Sequence, residues 1–201
     1  MAKREISAEK LHELFCDADA AREFDGVWIG ACASTRIYCR TLCPAAGHVN
    51  FGNVVAFVSP AQAEVAGFRP CLTCCPEDMP RPSIEAGFAP EAVAFDEAVC
   101  KYLGCEDALE LASAETGLEE GELARVVKDA FGATCEQYLA TARRLAAKHM
   151  LRCGNPTLDE VAAECGFASG DVLADEFKRI YRLDAAKMAA QRPRGPRLSR
   201  K

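Results

Sequence analysis

Cys39-Arg-Thr-Leu-Cys43 and Cys71-Leu-Thr-Cys74 constrain this chain more than any other feature. Zinc favours four thiolates at tetrahedral corners, and cysteines with two to four residues between them let one short turn supply two ligands. The 27 residues between Cys43 and Cys71 hold an apolar run, Val54 to Val58, and a helix signal, Ser59-Pro60 followed by AQAEVAG. That signal has a cap, a proline at the first helical position and a terminal Gly67. A metal there would staple a unit too small to hold together by its own core. Cys75 follows Cys74 directly and either could serve, but the two-residue gap favours Cys74. His48, in the loop after Cys43, is a replacement ligand, a phosphate contact or a bystander.

The chain has 201 residues and 12 cysteines. In a reducing cytosol so many thiols point to metal or thiolate chemistry rather than to a disulfide framework. Cys16, Cys100, Cys105, Cys135, Cys153 and Cys165 are expected on helices as small hydrophobes, and Cys32 in a strand. His12 and His149 lie in helical stretches with solvated or packed roles. No apolar run reaches membrane-spanning length, and MAKREISAEK lacks a signal-peptide core, which predicts a cytoplasmic protein.

The net charge of −6 argues at first against a nucleic-acid partner, but it is unevenly placed. Residues 1–21 carry −2, residues 22–82 carry 0, residues 83–191 carry −9, and the tail 192–201 carries +5. The cysteine-rich part is neutral and the tail is basic.

Ile6, Leu11, Leu14 and Phe15 recur at helical spacing, with Ser7 as a cap. Asp25-Gly26 marks a turn into the strand VWIGACAS, with Val54 to Val58 as its partner. Four prolines between residues 76 and 90 mark a linker. From Ala92 to about Ala190 the periodic stretches are helical, and one pattern occurs twice. Leu109 to Gly117-Leu118, followed by EEGELARVVKDAFG, matches Leu158 to Gly166-Phe167, followed by ASGDVLADEFKRIYR. A helix, a short glycine turn and a second helix is the helix-turn-helix signature. Two copies joined by the helical stretch TCEQYLATARRLAAKHML are far more specific than one. The expected fold is therefore a small α+β zinc domain followed by an all-α domain with two helix-turn-helix units. The boundaries are 1–79, a linker 80–91, helices over 92–190, and a basic tail 191–201.

Thr35-Arg-Ile-Tyr-Cys39-Arg40-Thr-Leu-Cys43-Pro44, Asn53-Val54, and Ala66-Gly67-Phe68-Arg69-Pro70-Cys71-Leu-Thr-Cys74 resemble the zinc domain of Ada-type methylphosphotriester repair proteins. The helical half resembles the AraC-type DNA-binding domain that follows it in that family. The resemblance covers about residues 22–190, and the chain ends before the methylguanine-repair domain that some members carry. It implies one zinc ion held by Cys39, Cys43, Cys71 and Cys74. It also implies stoichiometric transfer of a methyl group from a DNA methylphosphotriester to Cys39, coupled to transcriptional activation of alkylation-response genes.

Thr35, Arg36, Arg40 and Arg69 are the implied DNA contacts of the first half, and Lys178 and Arg179 those of the second. Double-stranded DNA is the partner, RNA polymerase a candidate second one, and no membrane is involved. Position 36 is commonly glycine in the family. The first recognition helix opens on Glu119, Glu120 and Glu122, whose charge disfavours phosphate and also caps the helix dipole. Ser169-Gly170-Asp171 and Leu183 also depart from the family pattern. Two alternatives remain: an AraC-type regulator with a purely structural zinc site, and a thiol-based electrophile sensor.

Overall fold

The computed structural model describes residues 6, 10, 13, 17–44 and 51–189. The expected helix positions Ser7, Leu11, Leu14 and Phe15, together with His12, Cys16, His48 and the basic tail, lie outside the described residues. A short helix α1 (Ala18–Glu23) follows them, capped by Asp17, whose carboxylate accepts the backbone N–H groups of Asp19 and Ala20.

Four strands make one sheet in the order β3-β1-β2-β4. β1 (Ile29–Cys32) pairs antiparallel with β2 (Ile37–Arg40) and with β3 (Val54–Phe57). The two expected strands are thus present and paired. β4 (Arg69–Pro70) runs parallel to β2, with Ile37 opposite Arg69 and Tyr38 opposite Pro70. Between β3 and β4 lies α2 (Pro60–Val65), with the expected Ser59 cap, proline start and left-handed Gly67. Ile29, Ala31, Tyr38, Phe57, Ala63 and Phe68 close a small core between sheet and helix.

Pro76–Asp78 form a single 3-10 turn, and residues 80–89 run without helix or strand. The helical half follows: α3 (Pro90–Lys101), α4 (Ala108–Thr116), α5 (Glu120–Phe131), α6 (Cys135–Cys153), α7 (Leu158–Glu164), α8 (Gly170–Tyr181) and α9 (Ala185–Ala189). The two predicted units are α4–α5 and α7–α8. Each second helix buries residues at intervals of four: Leu123, Val127 and Phe131 in α5, Leu173, Phe177 and Tyr181 in α8. That spacing lays one apolar stripe along the helix, and a fully buried phenylalanine such as Phe177 contributes about 2–3 kcal/mol. α6 begins and α7 begins with complete capping boxes, Thr134/Gln137 and Thr157/Glu160.

Two expectations about local structure change. Cys105 lies in the connection between α3 and α4, and Cys165 in the turn after α7, so neither is within a helix. The turn after α8 places Arg182, rather than Leu183, in the left-handed region (φ 57°), where Gly132 (φ 66°) stands after α5. No helix among the described residues is long and apolar enough to cross a membrane.

Candidate metal centre

The two cysteine pairs meet because β2 and β4 are neighbours. Arg69 N–H donates to the Arg36 carbonyl at 2.8 Å, and Cys71 N–H to the Tyr38 carbonyl at 2.9 Å. These bonds set Cys71 beside Cys39. Each strand then ends in a turn that returns a second sulfur: Cys43 N–H donates to the Arg40 carbonyl at 3.1 Å, and Cys74 closes the turn from Cys71. The Thr41 hydroxyl anchors the first turn on the Ala21 carbonyl of α1 at 2.7 Å.

The Sγ atoms of Cys39, Cys43, Cys71 and Cys74 all lie within 4.8 Å of one another. A zinc tetrahedron with Zn–S distances of about 2.3 Å has edges of about 3.8 Å, so the donor set fits the ion in number, softness and spacing. Crowding shifts the four thiols in opposite directions. Hydrogen bonds led by Cys39 pull the Cys43 and Cys71 thiols down, while Cys39 and Cys74 are pushed up by the sulfurs around them. Four thiolates so close need a cation to coexist. Cys74, the member of its pair that the spacing favoured, is the one whose sulfur joins the cluster. Cys75 stands outside the cluster in a left-handed conformation (φ 52°), its thiol pushed up to about 11 by burial.

The four sulfurs are not equivalent. Cys43 and Cys71 are buried, at 6% and 7% exposure. Cys71 Sγ accepts the Thr73 N–H at 3.3 Å, and Cys74 Sγ accepts the Arg40 N–H at 3.4 Å. Cys39 is partly exposed, and no backbone N–H donor among the described residues reaches its sulfur. N–H···S bonds withdraw electron density from a thiolate, so Cys39 is the least damped corner that solvent reaches.

The other candidates are differently placed. Thr35 and Arg36 are exposed in the β1–β2 turn. Arg36 adopts φ 55°, in the left-handed region that favours glycine, and its guanidinium lies 5.2 Å from the Phe68 ring centre. Arg69 is half-buried on β4. Arg40 is turned to a partner of its own: both its Nε and Nη2 bind the buried Asp25 carboxylate. Lys178 and Arg179 are exposed on α8, and Arg179 is held by Glu176 at 2.7 Å. A second grouping, Cys75, Glu77 and Asp78, offers two carboxylates, but Lys148, Arg152 and His149 already bind them.

Sequence reasoning missed the junction beneath the site. Glu64 of α2 accepts from the Tyr38 hydroxyl at 3.0 Å, from Thr141 at 3.0 Å and from Arg144. The available signal was the spacing of Arg144, Lys148 and Arg152, four apart along one face of α6.

Against this geometry, the family model described as "Metal binding domain of Ada" matches residues 14–77. A helix-turn-helix domain model matches residues 112–191. The chain thus matches an Ada metal-binding domain over its first part and a helix-turn-helix domain over its second. The Ada-type match encloses all four clustered cysteines and indicates one zinc site. No curated protein sequence matches the chain. Among solved structures, the xylose-binding transcription activator XylR is 15% identical, over 52% of this chain and 28% of that one, with a TM-score of 0.48. The AdpA DNA-binding domain in complex with a target DNA is 28% identical, over 50% and 90%, at 0.44. The methylated N-ADA/DNA complex is 25% identical, over 67% and 93%, at 0.28. The chain thus spans about a quarter of the first of these and most of the other two.

Proposed function

We propose that the protein repairs DNA methylphosphotriesters by taking the methyl group onto Cys39, once per molecule, and that the alkylated form activates transcription through the helical half. The observation that carries this reading is the inequality of the four sulfurs, with Cys39 the partly exposed corner that no backbone N–H damps. Zinc, when bound, holds the four sulfurs deprotonated at neutral pH. Cys39 Sγ attacks the methyl carbon from the side opposite the ester oxygen. The S–C bond forms as the C–O bond breaks, and the electron pair leaves on the phosphate, which regains its charge. The thioether is not reversed, so turnover stops there.

Thr35, Arg36 and Arg69 are the groups we assign to the phosphates beside the lesion, because they lie on the β1–β2 turn and on β4, next to the strand that carries Cys39. Arg40 serves the centre instead, through its backbone N–H to Cys74. Lys178 and Arg179 extend along α8 as contacts to the duplex. The boundaries that go with this reading are a metal-binding acceptor over 1–79, a connection over 80–91 and a reader over 92–190.

The deciding experiment incubates the zinc-loaded protein with methylphosphotriester duplex and follows it by mass spectrometry. A gain of about 14 Da on the peptide containing Cys39, abolished in Cys39→Ser, is expected. Undiminished methyl acceptance by Cys39→Ser would end this reading, and absence of any gain would leave a regulator with a structural metal.

A further inference from the structure

Lys148, in the middle of α6, is completely buried, and the methyl-transfer chemistry makes no use of it. Its Nζ donates to Glu77 Oε2 at 2.7 Å and to the Cys71 carbonyl at 3.5 Å. It also stands 5.3 Å from the centre of the Tyr181 ring, at the end of α8. The Glu77 side chain is equally buried and is shared with Arg152, itself 2% exposed. Cys71 is a member of the sulfur cluster, and Glu77 follows Cys74 by three residues. One ammonium group therefore touches the backbone of a clustered cysteine, the turn that follows the second pair, and the second helix of the second unit.

A parallel route runs from the first pair. Tyr38, the residue before Cys39, donates to Glu64, and Arg144 joins Glu64 to Glu176 of α8 at 3.1 Å. β4, which leads directly into Cys71, also packs against α8. The Tyr181 hydroxyl is buried in this junction without a hydrogen-bond partner among the described residues, a cost that close packing must offset. The first unit is attached differently. Ser59 Oγ donates to the Phe131 carbonyl at 2.6 Å, and no ion pair among the described residues joins α5 to the metal-binding half.

A buried charge that loses its partner is strongly destabilising, so such a network holds together or opens together. If the Cys71–Cys74 turn is released, Glu77 moves with it, and Lys148 and Arg152 lose their counter-charge. The least costly response is for the face of α6 beneath α8 to open to water. We propose that metal occupancy and the order of the second recognition helix are one equilibrium, transmitted by Lys148 through Glu77 and the Cys71 carbonyl, while the first unit stands outside it. This needs the metal centre but not methyl transfer, so the two readings fail separately.

The test is hydrogen exchange on the full chain, zinc-loaded and after removal of the metal by a chelator. Without zinc, amides 173–181 are expected to exchange about tenfold faster or more, while amides 123–131 change by less than about twofold. In Lys148→Met, which keeps the length and the burial, zinc removal should alter 173–181 by less than about threefold. Equal protection of 173–181 with and without zinc overturns the proposal, and so does equal acceleration of both recognition helices. A full zinc response in Lys148→Met removes Lys148 from the coupling. The wild-type comparison needs no substitution and decides the matter even where the variant fails to fold.

Discussion

Two cysteines outside the cluster have opposite surroundings. Cys32, at the end of β1, is partly exposed, with its sulfur 3.2 Å from the Ser34 hydroxyl. That hydroxyl first, and then Thr35, draw the thiol down to about 7 from an ordinary value of 9.0. Cys165 is buried behind α7 and is pushed up to about 11 by desolvation. The thiolate is the reactive form. The rate at which Cys32 is alkylated by iodoacetamide should therefore rise through a midpoint near pH 7, with Cys165 silent there. Because the folded value lies below the unfolded one, the hydroxyl contacts stabilise the fold fully above about pH 9, and that contribution is lost as pH falls through about 7. Ser34→Ala should move the alkylation midpoint upward; an unmoved midpoint rules out the hydroxyl as the cause. Composition gave no hint of this difference, because hydroxyl geometry in a four-residue turn is not a property of the cysteine.

Gly170 shows how an element boundary is set by a neighbour. It opens α8, and its N–H donates to Asp159 Oδ1 at 2.8 Å across the glycine turn. A Cβ at this position would stand 2.7 Å from that oxygen, 2.9 Å from Leu158 Cβ and 3.0 Å from the Asp159 nitrogen. Two of these are parts of a capped helix start and cannot retreat. Gly170→Ala should cost about 1–3 kcal/mol, read as a lower midpoint in urea, whereas Gly121→Ala, with open space around it, should not destabilise. A smaller loss than about 0.5 kcal/mol for Gly170→Ala would mean that α7 and α8 slide apart easily. The departure from the family pattern at this glycine thus has a packing reason that one sequence does not display. Legibility differed among the strands for a similar reason. Ile29–Cys32 and Val54–Phe57 announce themselves by apolar runs. Ile37–Arg40 and Arg69–Pro70 carry the cysteine pairs instead, and only their pairing, the first with β1 and the second with the first, reveals them as strands.

Across the whole molecule, the sequence made the two halves and the four clustered cysteines legible, while the joint between the halves was hidden. The stripe Arg144, Lys148 and Arg152 reads as a solvated basic face. Its acidic partners, Glu64 and Glu77, lie 65 or more residues away in a half whose charge sums to zero. The same balance bears on the charge of the metal centre. Asp25 cancels the Arg40 guanidinium and Glu77 cancels the Lys148 ammonium, so neither cation offsets a dianionic tetrathiolate. On the proposed reaction, methylation of Cys39 would remove one such negative charge. At an effective dielectric constant of about 20 and a separation of about 10 Å, repulsion falls by about 1–2 kcal/mol for each facing phosphate. Salt at about 0.15 M has a Debye length of about 8 Å and weakens this gain. The methylated protein should bind undamaged duplex about tenfold tighter at roughly 50 mM salt, and the advantage should shrink steadily toward roughly 300 mM. Asp25→Asn frees the Arg40 charge to oppose the centre, so the same titration should show a smaller advantage in that variant. Fluorescence anisotropy across the salt series separates the causes. An advantage that persists unchanged at high salt would come from new contacts to DNA, and the charge account would then be wrong.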